Sequence, residues 1–95
     1  YTLVPDDRGK SVYMSNALPN TVTIDTNANQ ACDVDMVCMI RQLSAGLTTV
    51  SAVAGVTLNG VDGGSVDLDG QWKSVVLNQY ATDSWWIEGM SGVVV

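Results

Sequence analysis

The sequence predicts an all-β fold, a sandwich, jelly roll or small barrel of about eight short strands, and three observations carry that expectation. Short runs rich in β-branched and apolar residues recur along the 95-residue chain. Turn-forming clusters of Gly, Pro, Asn, Asp and Ser separate them, and no stretch sustains a helical period. In such a chain, sheets bury their alternating inner faces and helix content is close to nil.

The elements follow in order. Strands are predicted at Tyr1 to Val4, Ser11 to Met14, Thr21 to Ile24, Met36 to Gln42, Thr48 to Ala54, Val56 to Leu58, Trp72 to Asn78 and Trp85 to Glu88. The segments between them carry the turn chemistry: Pro5-Asp6-Asp7-Arg8-Gly9, Leu18-Pro19-Asn20, Asn27-Ala28-Asn29, Ser44-Ala45-Gly46, Asn59-Gly60 and Asp62-Gly63-Gly64. The last two predicted strands form a hairpin about a turn within Ala81 to Ser84, and this region holds all three tryptophans. Side chains alternate along a strand, so Trp85 and Ile87 share one face while Trp86 and Glu88 share the other. Trp85 is therefore expected in the core and Trp86 at a protein interface.

Met36 to Ile40 is apolar at every position, the pattern of a strand covered on both faces. In a domain this small the second cover implies a subunit contact, which places Val37 and Met39 with Trp86 in the expected interface. Val93-Val94-Val95 is an apolar end that would invite aggregation if exposed at a sheet edge. Val94 joins the interface set on the expectation that this end pairs with a strand of its own or a neighbouring chain.

Residues 1–95 make one domain, with 46% hydrophobic and 15% charged residues, a balance that argues against disorder. The longest apolar run is far shorter than the roughly 20 residues a membrane-spanning helix requires. Four basic residues against ten acidic ones, with no cluster of Lys or Arg, argue against nucleic-acid binding. The acidic balance keeps a β-rich surface soluble or complements a basic patch on a partner. The chain begins at Tyr1 with no initiator Met and no signal peptide, as a processed chain or an excised domain would.

Chemistry is sparse. The absence of histidine removes the usual general base, the usual triad partner and the commonest transition-metal ligand. No catalytic residue and no cofactor are assigned. Asp67 and Asp69 stand two residues apart, the spacing of a carboxylate pair on one strand face, but alternating charges on a strand mark its solvated side. Asp62, Asp67 and Asp69 form a weak calcium candidate. The run from Asp62 lacks the Glu of an EF-hand loop and the tandem copies of a calcium-binding β-helix, so a glycine turn leading into an acid-faced strand is the simpler reading. Cys32 and Cys38 match no zinc spacing; a loop over Asp33 to Val37 would bring the two sulfurs to disulfide distance, whereas a strand through Cys38 keeps them apart, and free, buried thiols are the favoured expectation. Tyr80, Trp86 or Tyr13 beside Asn and Asp groups could offer a carbohydrate-stacking platform; burial in the core or an interface is the alternative.

Several segments in order carry a resemblance to a known class. These are the opening Tyr1-Thr2-Leu3-Val4, Asp7-Arg8-Gly9-Lys10, the run from Asn20 to Ile24 (NTVTI), Met39 to Gly46 (MIRQLSAG), Gly55 to Asn59 (GVTLN), Gly70-Gln71-Trp72 and Asp83 to Gly89 (DSWWIEG). Together they resemble small trimeric β-jelly-roll domains of tailed-bacteriophage virions, used as capsid decoration proteins and as modules of head or tail fibres. The chain departs from that pattern at Asp25, where a proline is common, and at Cys32 and Val34-Asp35, where an aromatic and a Gly-Thr pair are common. The resemblance implies a jelly-roll-like sandwich of about eight short antiparallel strands. It also implies a non-enzymatic homotrimer on the virion surface whose partners are its own copies and the major capsid protein. The absence of a stalk-like repeat favours decoration over a head- or tail-fibre module that binds host-surface carbohydrate.

Overall fold

Nine strands form where apolar and polar residues alternate most regularly, and the computed structural model describes all of residues 1–95. They are β1 (Ser11–Met14), β2 (Asn20–Ile24), β3 (Val37–Gln42), β4 (Thr48–Ala52), β5 (Thr57–Leu58), β6 (Val61–Asp62), β7 (Ser65–Asp67), β8 (Ser74–Ala81) and β9 (Ser84–Glu88). The only helical element is a single 3₁₀ turn at Pro5–Asp7, and no helix is long and apolar enough to cross a membrane. A six-stranded sheet in the order β1-β3-β8-β9-β5-β6 faces a three-stranded sheet in the order β2-β4-β7. The fold is an all-β sandwich.

Not every pairing is antiparallel, in contrast to the sequence expectation. β1 with β3, β2 with β4 and β5 with β9 run parallel. The cause is the path of the chain. β1 to β4 enter the two sheets in turn, so strands that are neighbours within a sheet are two apart in sequence and run the same way. Direct hairpins, which force antiparallel pairing, occur only where consecutive strands stay in one sheet, as at β5–β6 and β8–β9. Asn59 and Gly60, with φ of 47° and 80°, supply the two left-handed positions that the β5–β6 turn needs.

Seventeen buried hydrophobic residues form one core between the sheets. Val22, Ile24, Val50, Ala52 and Val66 project from the small sheet toward Cys38, Ile40, Leu58, Val75, Leu77, Trp85 and Ile87 of the large one. Two glutamines close the ends of this core. Gln42 donates to the Ser44 carbonyl and accepts from the Thr48 N–H, both at 3.0 Å, tying down the β3–β4 loop. Gln79 donates to the carbonyls of Cys32 and Asp33 and accepts from the Asp83 N–H. No buried side-chain polar atom lacks a partner, so hydrogen bonds offset the desolvation of both amides. Gly46 is required by close approach, since a Cβ there would overlap the Leu18 carbonyl of the neighbouring loop.

Both ends of the chain serve as edge cover. Tyr1 to Val4, expected as a strand, makes only a parallel bridge at Thr2 to Thr23, with Leu3 N–H to Thr23 O at 2.9 Å and Thr23 N–H to Tyr1 O at 2.8 Å. The Pro5–Asp7 turn ends the pairing there, and Asp7 holds the segment by accepting from the Val4 N–H and the Tyr1 hydroxyl. At the other end Val95 exchanges two backbone hydrogen bonds with Ser65 of β7. The apolar C-terminus thus pairs within its own chain.

Trp72, read from the sequence as the start of a strand, lies in the turn before β8. Its φ is +68°, a left-handed conformation that pleated pairing does not accommodate, and its N–H donates to the Gln42 carbonyl at 2.8 Å.

Candidate functional site

The outer face of the large sheet is built by alternation. Because Cys38, Ile40, Val75, Leu77, Trp85 and Ile87 turn inward, Val37, Met39 and Arg41 of β3, Val76, Asn78 and Tyr80 of β8, and Trp86 and Glu88 of β9 turn outward. The register aligns them in rows across the strands: Ser11, Met39, Val76 and Glu88 in one, and Val37, Asn78 and Trp86 in the next. Tyr80 follows Asn78 on the same face, diagonal to Trp86.

This face is unusually apolar for a solvated sheet. Trp86 is 55% exposed, Tyr80 49% and Val37 45%. Met39 is half-buried and lies under the Arg41 guanidinium, which reaches its Sδ at 3.5 Å and the Ser11 hydroxyl at 3.2 Å. The expectation of a second cover over Met36 to Ile40 therefore meets a strand covered on one side only by its own chain.

Beside Trp86 the face sinks into an open depression of about 770 Å³, lined by Asn59, Asn78, Tyr80, Trp86, Ile87 and Glu88. Asn59 fixes its edge by bonding both the N–H and the carbonyl of Ile87, standing in for a strand partner. The Asn78 amide donates to the Met36 carbonyl at 3.2 Å. The Asn78 side-chain oxygen, the Tyr80 hydroxyl, the Trp86 indole N–H and the Glu88 carboxylate remain as hydrogen-bonding groups around an aromatic surface. Such a surface can bury against protein or stack on a sugar ring. Tyr13 is not part of it, because it lies on β1, three strands from Trp86 in sheet order.

Val94, placed with the interface residues on sequence grounds, sits elsewhere. It packs half-buried against the core, over Gly64, where an added Cβ would meet its side chain. Pairing of Val95 with β7 holds it there, while Val93 and Val95 face solvent.

The acidic run does not converge. Asp62 accepts from the Gly55 N–H at 2.8 Å, Asp67 from the Thr49 hydroxyl at 2.6 Å, and Asp69 from the N–H and hydroxyl of Ser91. The Ser91 backbone N–H, then its hydroxyl, hold the Asp69 carboxyl below its ordinary pKa. Each carboxylate ties a different loop or strand, and no three potential metal ligands come together.

Cys32 and Cys38 are free and buried, as expected from the sequence. Burial first, then the negative charge of Asp7, pushes the Cys38 thiol up to about 12 and raises Cys32 as well. These are poor nucleophiles at neutral pH.

Trp72 is the exposed feature that sequence reasoning missed, 74% accessible on its left-handed turn. Gly70, two residues before it, is the sequence signal that the turn extends this far, and the structure gives that glycine a φ of +135°. Comparison with protein-family models, curated proteins and solved structures finds no match.

Proposed function

We propose that this chain is a non-enzymatic structural module of a tailed-bacteriophage virion, a homotrimeric decoration protein that stabilises the shell by binding the major capsid protein at the capsid surface. The ordered segments from Tyr1 to Gly89 support the virion assignment by resemblance. The observation that supports assembly is the outer sheet face, where Val37, Met39, Val76, Tyr80 and Trp86 lie together on a small acidic chain. Contiguous apolar surface of this kind marks a protein contact, and trimerisation would bury it.

Light scattering after size exclusion at micromolar concentration tests the trimer. A trimer that Val37→Asp or Trp86→Asp converts to a folded monomer is expected; a clean wild-type monomer overturns the proposal. Binding of the trimer to emptied, expanded capsids, with a gain in their thermal stability, tests the decoration role.

A second reading rests on the depression beside Trp86. An exposed indole and phenol flanked by the Asn78 oxygen and the Glu88 carboxylate would suit a hexose ring, as in a head- or tail-fibre module that binds host-surface carbohydrate. A glycan array with wild type, Trp86→Ala and Tyr80→Ala separates the two readings. Specific glycan binding lost in both variants favours the fibre module, and uniform indifference favours decoration.

A further inference from the structure

We infer that the free edge of β1 is a docking site for an extended, acidic segment of a partner protein, which adds to the large sheet as a further strand. The sandwich has four outer edges, and three are blunted. The β2 edge carries Tyr1 to Leu3, the β7 edge carries Val95, and β6 is only two residues long, with the Val61 carbonyl taken by the Gly64 N–H. β1 is four residues long and has no such cover.

The geometry of the edge follows from its pairing. The parallel ladder to β3 includes Met39 N–H to Lys10 O and Leu43 N–H to Met14 O, both at 3.0 Å. That parity directs Lys10, Val12 and Met14 toward β3 and leaves the N–H and carbonyl groups of Ser11 and Tyr13 pointing outward. No proline and no bulge interrupts the strand, the devices that usually protect an exposed edge. Val12 and Met14 pack against the rim of the core, so an added strand would also cover apolar surface.

Charge selects the partner. The chain carries −6 overall, yet residues 8–24 and 36–61 contain no Asp or Glu. All four basic residues lie near this end of the sheet. Arg8 and Lys10 precede β1, Arg41 of β3 stands opposite Tyr13, and Lys73 accepts at its carbonyl from the Gln42 N–H of β3. Only Arg8 forms a salt bridge, with Asp33; Lys10 and Arg41 are left without an anionic partner, while Lys73 acts on the Asp69 carboxylate at longer range. An acidic extended segment gains attraction here, whereas the rest of the molecule repels it. The outward backbone groups of β1 lie at the border of the outer face proposed for trimerisation, and protection of their amides by peptide is read whatever the oligomeric state.

The test uses two capped heptapeptides, one alternating Val with Asp and one alternating Val with Lys, added to the wild-type protein while amide hydrogen exchange is followed. The expected result is slowed exchange at Ser11 and Tyr13 with the Asp peptide, binding of it about tenfold tighter than the Lys peptide, and weakening with added salt. Tyr13→Pro and Ser11→Pro each remove an outward N–H without removing a ladder bond, and either should abolish the protection while the protein stays folded. Unchanged exchange at both amides with either peptide overturns the proposal, as does equal binding of the two peptides. Concentration-dependent protection in the absence of peptide would assign the edge to a second copy of the chain and overturn the acidic partner.

Discussion

Gln79 donates its side-chain amide to the carbonyl of Cys32, 47 residues away in sequence, at 2.9 Å in the buried end of the sandwich. The same amide group bonds the Asp33 carbonyl, and its oxygen accepts from the Asp83 N–H. One side chain on β8 thereby ties the loop before β3 to the β8–β9 turn that presents Trp85 and Trp86.

Gln79→Leu would leave the Cys32 carbonyl and the Asp83 N–H without this partner at a buried position. The expected cost is about 2–3 kcal/mol in urea-induced unfolding, the order of leaving buried polar groups unsatisfied. A change below about 0.5 kcal/mol would show that water replaces the amide without penalty.

Trp85 and Trp86 are neighbours with opposite environments, 1% and 55% exposed. Trp85→Ala should cost about 3–5 kcal/mol, as deletion of a large buried aromatic does. Trp86→Ala should shift the stability of the isolated subunit by no more than about 0.5 kcal/mol while weakening self-association. Chemical denaturation of each variant, paired with sedimentation, separates the two effects.

The Cys38 thiol, raised from 9.0 to about 12, is protonated in the folded protein over a range in which the unfolded chain ionises. The folded state then binds more protons than the unfolded state between those values, so this stabilising contribution is complete below pH 9 and is lost as pH rises toward 12. Tyr1, also raised to about 12 by burial and its bond to Asp7, adds loss of stability above pH 10. Melting temperature should fall steadily across that alkaline range, and less steeply in Cys38→Ala, where the Tyr1 and Cys32 contributions remain. Thiol labelling at pH 8 should be slow in the native protein and rapid once it is unfolded by urea.

Trp72 holds a left-handed φ with a bulky side chain, a conformation that disfavours residues bearing a Cβ. Trp72→Gly should raise stability by up to about 1 kcal/mol, whereas Trp72→Ala, which retains the Cβ, should not. Thermal unfolding of the pair decides it. A loss of stability in both would show that the indole packs more than its exposure implies.

Asp62, Asp67 and Asp69 each bond protein donors in different directions, so calcium should find no shared site. Melting temperature in millimolar calcium and in chelator should agree. A rise with calcium that Asp67→Asn removes would contradict that arrangement.

Much of the fold is local information. Period-two alternation separates Trp85 from Trp86 and Cys38 from Val37, because neighbouring side chains in a strand must point to opposite faces. The Asn59-Gly60 turn and the β8–β9 hairpin are legible for the same reason, since left-handed turn positions and two-residue connections are set by the residues that form them. Lack of histidine likewise bounds the chemistry from composition alone.

Partner choice is different in kind. Nothing in Ser11–Met14 specifies that it runs parallel to β3, or that β2 and β4 do the same in the opposite sheet. Those pairings follow from the chain crossing the core between successive strands, a choice made by burial of the whole set of inward residues. Tertiary packing alone directs Asp62, Asp67 and Asp69 to separate donors and seats Val94 on Gly64. It also decides which edges the termini cover. What each strand turns inward is legible along the chain, because it depends on neighbours one and two residues away; which surfaces stay bare emerges only on folding, because it depends on contacts far apart in sequence.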